Sequence, residues 1–128
     1  MKKGFLILLV ILILTACRSK EEAQEKTSDV KETGEVQEVT ITGYSGDNPE
    51  DFKFEPEEVT VSQGDTVKLT LKSNDEIEHG ITLYGINQQL KDGETVEFIA
   101  EEKGEFAGQC SVFCGPGHGV MNFNLIVK

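Results

Sequence analysis

Tryptophan is absent from this 128-residue chain, which has only two histidines, two methionines, two tyrosines and three prolines. So small a stock of imidazole excludes any large histidine-rich metalloenzyme assembly. Basic residues are also scarce, with 12 Lys and Arg against 23 Asp and Glu for a formal net charge of −11. That deficit argues against nucleic acid, whose phosphate backbone demands a basic surface. It argues equally against direct adsorption to anionic lipid head groups. An acidic surface does suit a basic protein partner, speeding encounter at a rate that falls as salt rises; it also supports solubility. A long apolar run is missing. The uncharged stretch Gly4 to Ala16 falls short of the ~20 apolar residues that a spanning helix needs. No segment beyond it shows a helical period.

What is present begins with an address. Met1-Lys2-Lys3 is a positive leader to the apolar run, and the proportions over 1–16 fit a secretory signal peptide. Leu14-Thr15-Ala16-Cys17 resembles a bacterial lipobox, which implies that Cys17 is lipidated and becomes the mature N-terminus. The plainer alternative is a signal sequence with an incidental cysteine. Either way the chain is expected to work outside the cytoplasmic membrane, held by lipid to its extracytoplasmic face in the first case. Loss of Lys2 and Lys3 moves the charge from −11 to −13. Residues 17–35 read as a flexible tether. The stretch Lys20-Glu-Glu-Ala-Gln-Glu-Lys-Thr-Ser-Asp29 has no aromatic residue and buries too little apolar surface to offset its ordering entropy.

From residue 36 to 128 the pattern changes to short alternating strands. Val59 and Val61; Val67, Leu69 and Leu71; Ile81 and Leu83; and Val96 and Phe98 recur at every second position, the period of a half-buried strand. Gln63-Gly64-Asp65, Ser73-Asn74-Asp75, Asp92-Gly93 and Lys103-Gly104 are turn-forming breaks. Strands at this spacing predict an all-β sandwich or barrel. Its small core is expected to draw bulk from Phe52, Phe54, Phe98, Phe106 and Phe123.

Near the C-terminus four metal-binding side chains fall within twelve residues. Cys110, Cys114, His118 and Met121 form C-x3-C-x3-H-x2-M, and thiolate with thioether selects the soft Cu(I) ion. A blue-copper site uses one Cys, two His and a weak Met around one ion; a second thiolate leaves donors for two ions sharing both sulfurs. His79 is the remaining imidazole. It shares parity with Ile81 and Leu83, as Met121 does with Phe123, Leu125 and Val127, so both belong to inward faces. Three cysteines in an exported chain leave one to explain. If Cys17 carries lipid, Cys110 and Cys114 remain as a pair. A disulfide between them would give no reason for His118 and Met121 at ligand spacing. A tetrahedral Cys2His2 zinc site would leave Met121 unused.

The loop Gly108-Gln-Cys-Ser-Val-Phe-Cys-Gly-Pro-Gly-His-Gly-Val-Met121 closely resembles the ligand loop of CuA domains, found in subunit II of haem-copper respiratory oxidases. The resemblance covers about residues 50–128 and implies a cupredoxin-like Greek-key β-sandwich. It implies two copper ions in one CuA centre, with Cys110 and Cys114 bridging and His79 and His118 as terminal ligands. Met121 is then the weak thioether ligand and Val112 lends its main-chain oxygen. The lack of tryptophan departs from the mitochondrial-type pattern and is closer to the bacterial B-type. Phe52 and Phe54 align with an aromatic segment that passes electrons in some relatives; packing is the simpler role. The function implied is electron transfer from a basic cytochrome c or similar donor to a haem-copper oxidase or other redox acceptor, with no substrate transformed by this chain alone. A copper storage or delivery protein on the same scaffold is the alternative.

Overall fold

A computed structural model describes residues 31–128. The proposed signal peptide, Cys17 and most of the tether lie outside the described residues. Nine strands follow in order: β1 (Val36–Tyr44), β2 (Lys53–Glu55), β3 (Glu58–Val61), β4 (Thr66–Ser73), β5 (Gly80–Leu83), β6 (Gln88–Lys91), β7 (Thr95–Ile99), β8 (Gly104–Cys110) and β9 (Asn122–Val127). Single 3-10 turns occur at Pro49–Asp51 and His118–Val120. The strands form two sheets, ordered β2-β1-β4-β7 and β3-β9-β8-β5-β6. Pairing is antiparallel except for β1 with β4 and β3 with β9, which run parallel. Among the described residues no helix is long and apolar enough to cross a membrane.

The alternation read from the sequence dictates which face of each sheet is buried. In β4, Val67, Leu69 and Leu71 are fully buried while Lys68, Thr70 and Lys72 point away from the core. Phe123, Leu125 and Val127 do the same in β9 against Asn122 and Asn124. Ile41, Phe54, Ile81, Leu83 and Leu90 complete the layer between the sheets. Burying one such side chain is worth about 1.5–3 kcal/mol, and a single-residue slip would turn a whole set outward. Phe52, Phe54 and Phe123 are core residues as expected. Phe98 and Phe106 are only half-buried, because they line a cleft of about 340 Å³ between the open sheet edges.

That cleft lies at one pole, with the β3–β4 turn, where Gly64 takes a positive φ of 92°. Thr33, which composition places in the tether, is bound to this turn. Its amide donates to the Gly64 carbonyl at 3.0 Å, and its hydroxyl donates to Asp65 Oδ1 at 2.6 Å. Asp65 also accepts from the Ser62 amide at 3.0 Å. Chiefly the Thr33 hydroxyl, then the Ser62 amide, hold the Asp65 carboxyl below its ordinary value of 3.8.

A depressed carboxylate pKa stabilises the fold above the unfolded value, and that contribution is lost as pH falls through the folded value. Asp65→Ala is therefore expected to lower the thermal midpoint at pH 7. The gap to the parent protein should narrow below about pH 4, and a gap unchanged down to pH 2.5 would contradict this account.

Candidate metal centre

The opposite pole gathers the chemistry. Strands β9, β8 and β5 are neighbours in one sheet, and each brings a candidate ligand to that end. Met121 directly precedes β9, Cys110 closes β8, and His79 directly precedes β5. The antiparallel ladder fixes their alignment. The Cys110 amide donates to the Met121 carbonyl at 3.2 Å, and Ile81 pairs with Cys110. Between β8 and β9 the loop 111–120 carries Cys114 and His118. It is tied down by the Ser111 amide donating to Gly80 O at 3.1 Å, and it closes through His118 N to Gly115 O at 3.1 Å.

Five side chains and one carbonyl converge here. The sulfurs of Cys110 and Cys114 lie 3.7 Å apart, as free thiols and not a disulfide. Cys114 Sγ is 3.6 Å from Met121 Sδ and 3.8 Å from His118 Nδ1. Cys110 Sγ is 3.2 Å from the Val112 carbonyl oxygen. A ring nitrogen of His79 and the two thiol sulfurs all fall within 4.8 Å of one another. Every candidate metal ligand named from the sequence reaches this cluster, and Cys17 lies outside the described residues. His118 stands at its rim, half-buried, with the ring of Phe113 at 5.7 Å.

His79 is the most enclosed member, with no exposed surface. Its Cδ2 edge lies against Gly43, where a Cβ would come within 2.6 Å of the ring. Phe54 meets it edge-on at 6.2 Å between centroids. Neither ring nitrogen has a hydrogen-bond partner. Burial pushes the His79 pKa down, opposed by the nearby carboxylates of Asp75 and Asp92. Burial, followed by the neighbouring Cys110 thiol, pushes Cys114 up to about 12. A buried, unpaired imidazole costs about 1–3 kcal/mol, and a thiol beside a bound cation is deprotonated outright. Unsatisfied nitrogen, paired thiols and a thioether together suit a soft, thiophilic cation such as copper.

No protein-family model matches the chain. Cytochrome c oxidase subunit 2 of Thermus thermophilus is 33% identical over 81 residues, covering 60% of this chain and 59% of that protein. The chain thus spans rather more than half the length of that curated relative. Over this segment it is homologous to cytochrome c oxidase subunit II. The fold agrees. A heme-copper terminal oxidase dimer structure aligns with a TM-score of 0.60 at 21% identity, over 75% of this chain and 66% of that one. The periplasmic domain of subunit II of cytochrome oxidase from Bradyrhizobium japonicum gives 0.56 at 19%, over 72% and 83%. A purple cupredoxin from Nitrosopumilus maritimus gives 0.50 at 21%, over 70% and 99%. The described body is a cupredoxin β-sandwich.

Sequence reading placed Phe52 in the core but did not show what it supports, and it missed Gly43 and the exposure of Phe113. Phe52 lies beneath the ligand loop, buried, with Gly115 and Gly117 resting on its ring. Gly43 makes room for His79, and Phe113 is 82% exposed between the two cysteines. The only local signal was glycine where an alternating strand calls for a side chain. Gly117 has an ordinary φ of −95°, so its constraint is steric: an added Cβ would overlap the Phe52 ring.

Gly117→Ala is accordingly expected to cost about 1–3 kcal/mol through overpacking, measured by denaturant unfolding. Adding Phe52→Leu should recover part of that loss. Strict additivity of the two changes would rule out the contact.

Proposed function

We propose that this chain transfers electrons through a binuclear copper centre of the CuA type, as a subunit II-like protein of a haem-copper oxidase. The observation that carries the reading is the pair of free, buried thiols 3.7 Å apart, flanked by Met121 and His118 and by the enclosed His79. One thiolate would serve a single-ion site; two at this separation suit a shared one. When bound, two coppers bridged by thiolates supply a one-electron couple with little change in ligand distances. In this reading Cys110 and Cys114 would supply the thiolates shared by both ions, His79 and His118 would be the terminal ligands, and Met121 and the Val112 carbonyl would be the weaker donors.

The chain's own residues do the rest. The sandwich wall holds His79, Cys110 and Met121 on three paired strands, which limits their movement. Phe54 and Gly43 enclose the inner imidazole and keep it from bulk solvent. His118 stands on the outer side beneath exposed Phe113, with exposed Val120 two residues on. Asp75, Glu76 and Glu78, all exposed, precede the inner histidine. An apolar knob beside acidic groups favours a basic electron donor such as cytochrome c, with an oxidase or another redox protein as acceptor. Lipid attachment through Cys17 would keep the domain at the extracytoplasmic face of the membrane. No group here is arranged for acid–base work, so the chain is read as a carrier and not an enzyme by itself.

Electron paramagnetic resonance of the copper-loaded protein tests this. One electron shared over two equivalent coppers is the expected signature. A single-copper spectrum would favour copper storage or delivery instead. Cys114→Ser should abolish the shared signature, and Met121→Leu should retain it with an altered reduction potential. Two coupled coppers surviving in Cys114→Ser would sink the bridging assignment.

A further inference from the structure

Three buried side-chain polar atoms lack a hydrogen-bond partner among the described residues: both ring nitrogens of His79 and the hydroxyl of Ser73. They belong to one neighbourhood. Ser73 shares the inward parity of Val67, Leu69 and Leu71 at the last position of β4, and in the parallel ladder it pairs with Gly43. The His79 ring lies against that same Gly43. Asp92 joins the two from the other side. Its Oδ1 accepts from the Ser73 amide at 2.6 Å, and its own amide donates to the His79 carbonyl at 3.1 Å.

Neighbouring acceptors already take other hydrogen bonds. Asp75 accepts from the Ser45 hydroxyl with one oxygen and from the Ile77 amide with the other, the latter at 2.8 Å. The Gly43 carbonyl accepts from the Asn74 amide at 2.9 Å. Ring orientation adds a direction. The ring atom nearest Gly43 is Cδ2, followed by Cγ, and Nε2 is the nitrogen bonded to Cδ2.

We propose that Ser73 is a positioning residue for His79, its hydroxyl accepting the Nε2–H directly or through one enclosed water. That contact would fix the imidazole in the tautomer whose bare Nδ1 faces the Cys110 and Cys114 sulfurs. A ligating histidine characteristically donates its other ring N–H to such a partner, which sets tautomer and orientation. Three unpaired polar atoms in one neighbourhood also meet the requirement of a buried water for two to four partners. The inference rests on His79 being a ligand, as proposed above, but its first readout needs no metal.

Long-range proton–nitrogen correlation spectra of the reduced, copper-free, nitrogen-15-labelled protein should show His79 as one tautomer, protonated at Nε2. A proton on Nδ1 in the parent protein would overturn the proposal without recourse to any variant. Ser73→Ala should give a mixture of tautomers. It should also lower Cu(I) affinity ~10-fold to 100-fold in competition with a chelator, and Ser73→Thr should restore both. A folded Ser73→Ala protein with an unchanged tautomer and unchanged affinity would refute the role. Failure of the binuclear reading is seen separately, as a single-copper resonance spectrum with the tautomer result intact.

Discussion

The antiparallel alignment of β9, β8 and β5 is the constraint on which the rest depends. Strand pairing in this sheet places Met121, Cys110 and His79 at three adjacent strand ends on one pole. The same period-two pattern that buries Phe123, Leu125, Ile81 and Leu83 turns those donors inward. Hydrophobic burial therefore sets the register, and the register sets the donor geometry. A slip of one residue would expose apolar side chains and turn the ligands outward together. The site needs no separate folding determinant beyond the loop that adds Cys114 and His118.

Much of this was legible in the sequence, and the exceptions have a common cause. Alternation identified the buried faces of β4, β5 and β9, and the turn residues marked the breaks between strands. The cluster from Cys110 to Met121 is local, so its spacing could be read directly. Parity states which face a side chain occupies but not which strand lies opposite. Gly43 thus looked like a neutral residue until the parallel pairing of β1 with β4 set it beside Ser73, against the His79 ring. Phe52 and Phe106 are equally apolar in sequence, yet one supports the ligand loop and the other lines a cleft at the far pole. Thr33 follows the same rule, since long-range contacts with Gly64 and Asp65 bring it onto the folded body.

Polar groups are treated differently at the two poles. At the far pole Asp65 is buried, yet it is satisfied by a hydroxyl and a backbone amide. At the ligand pole His79 is buried without a partner and Cys114 is held as a protonated thiol. The unpaired imidazole is unfavourable for an isolated protein domain and favourable for one that takes up a soft cation. A ligand bound only by the folded state stabilises it by mass action, so cation binding would offset the cost of keeping these groups dry. The unsatisfied atoms concentrate where an occupant can use them.

Separation of the poles has a further consequence. The chain enters the folded body at Thr33, beside the β3–β4 turn, while the ligand loop closes over Phe52 at the other end of the sandwich. The Thr33 contacts and the candidate ligands therefore lie at different ends of the sheet pair. The proposed electron exchange, in which ligand distances would change little, is served by donors held together on one sheet. Rigidity at the donors comes from the paired strands.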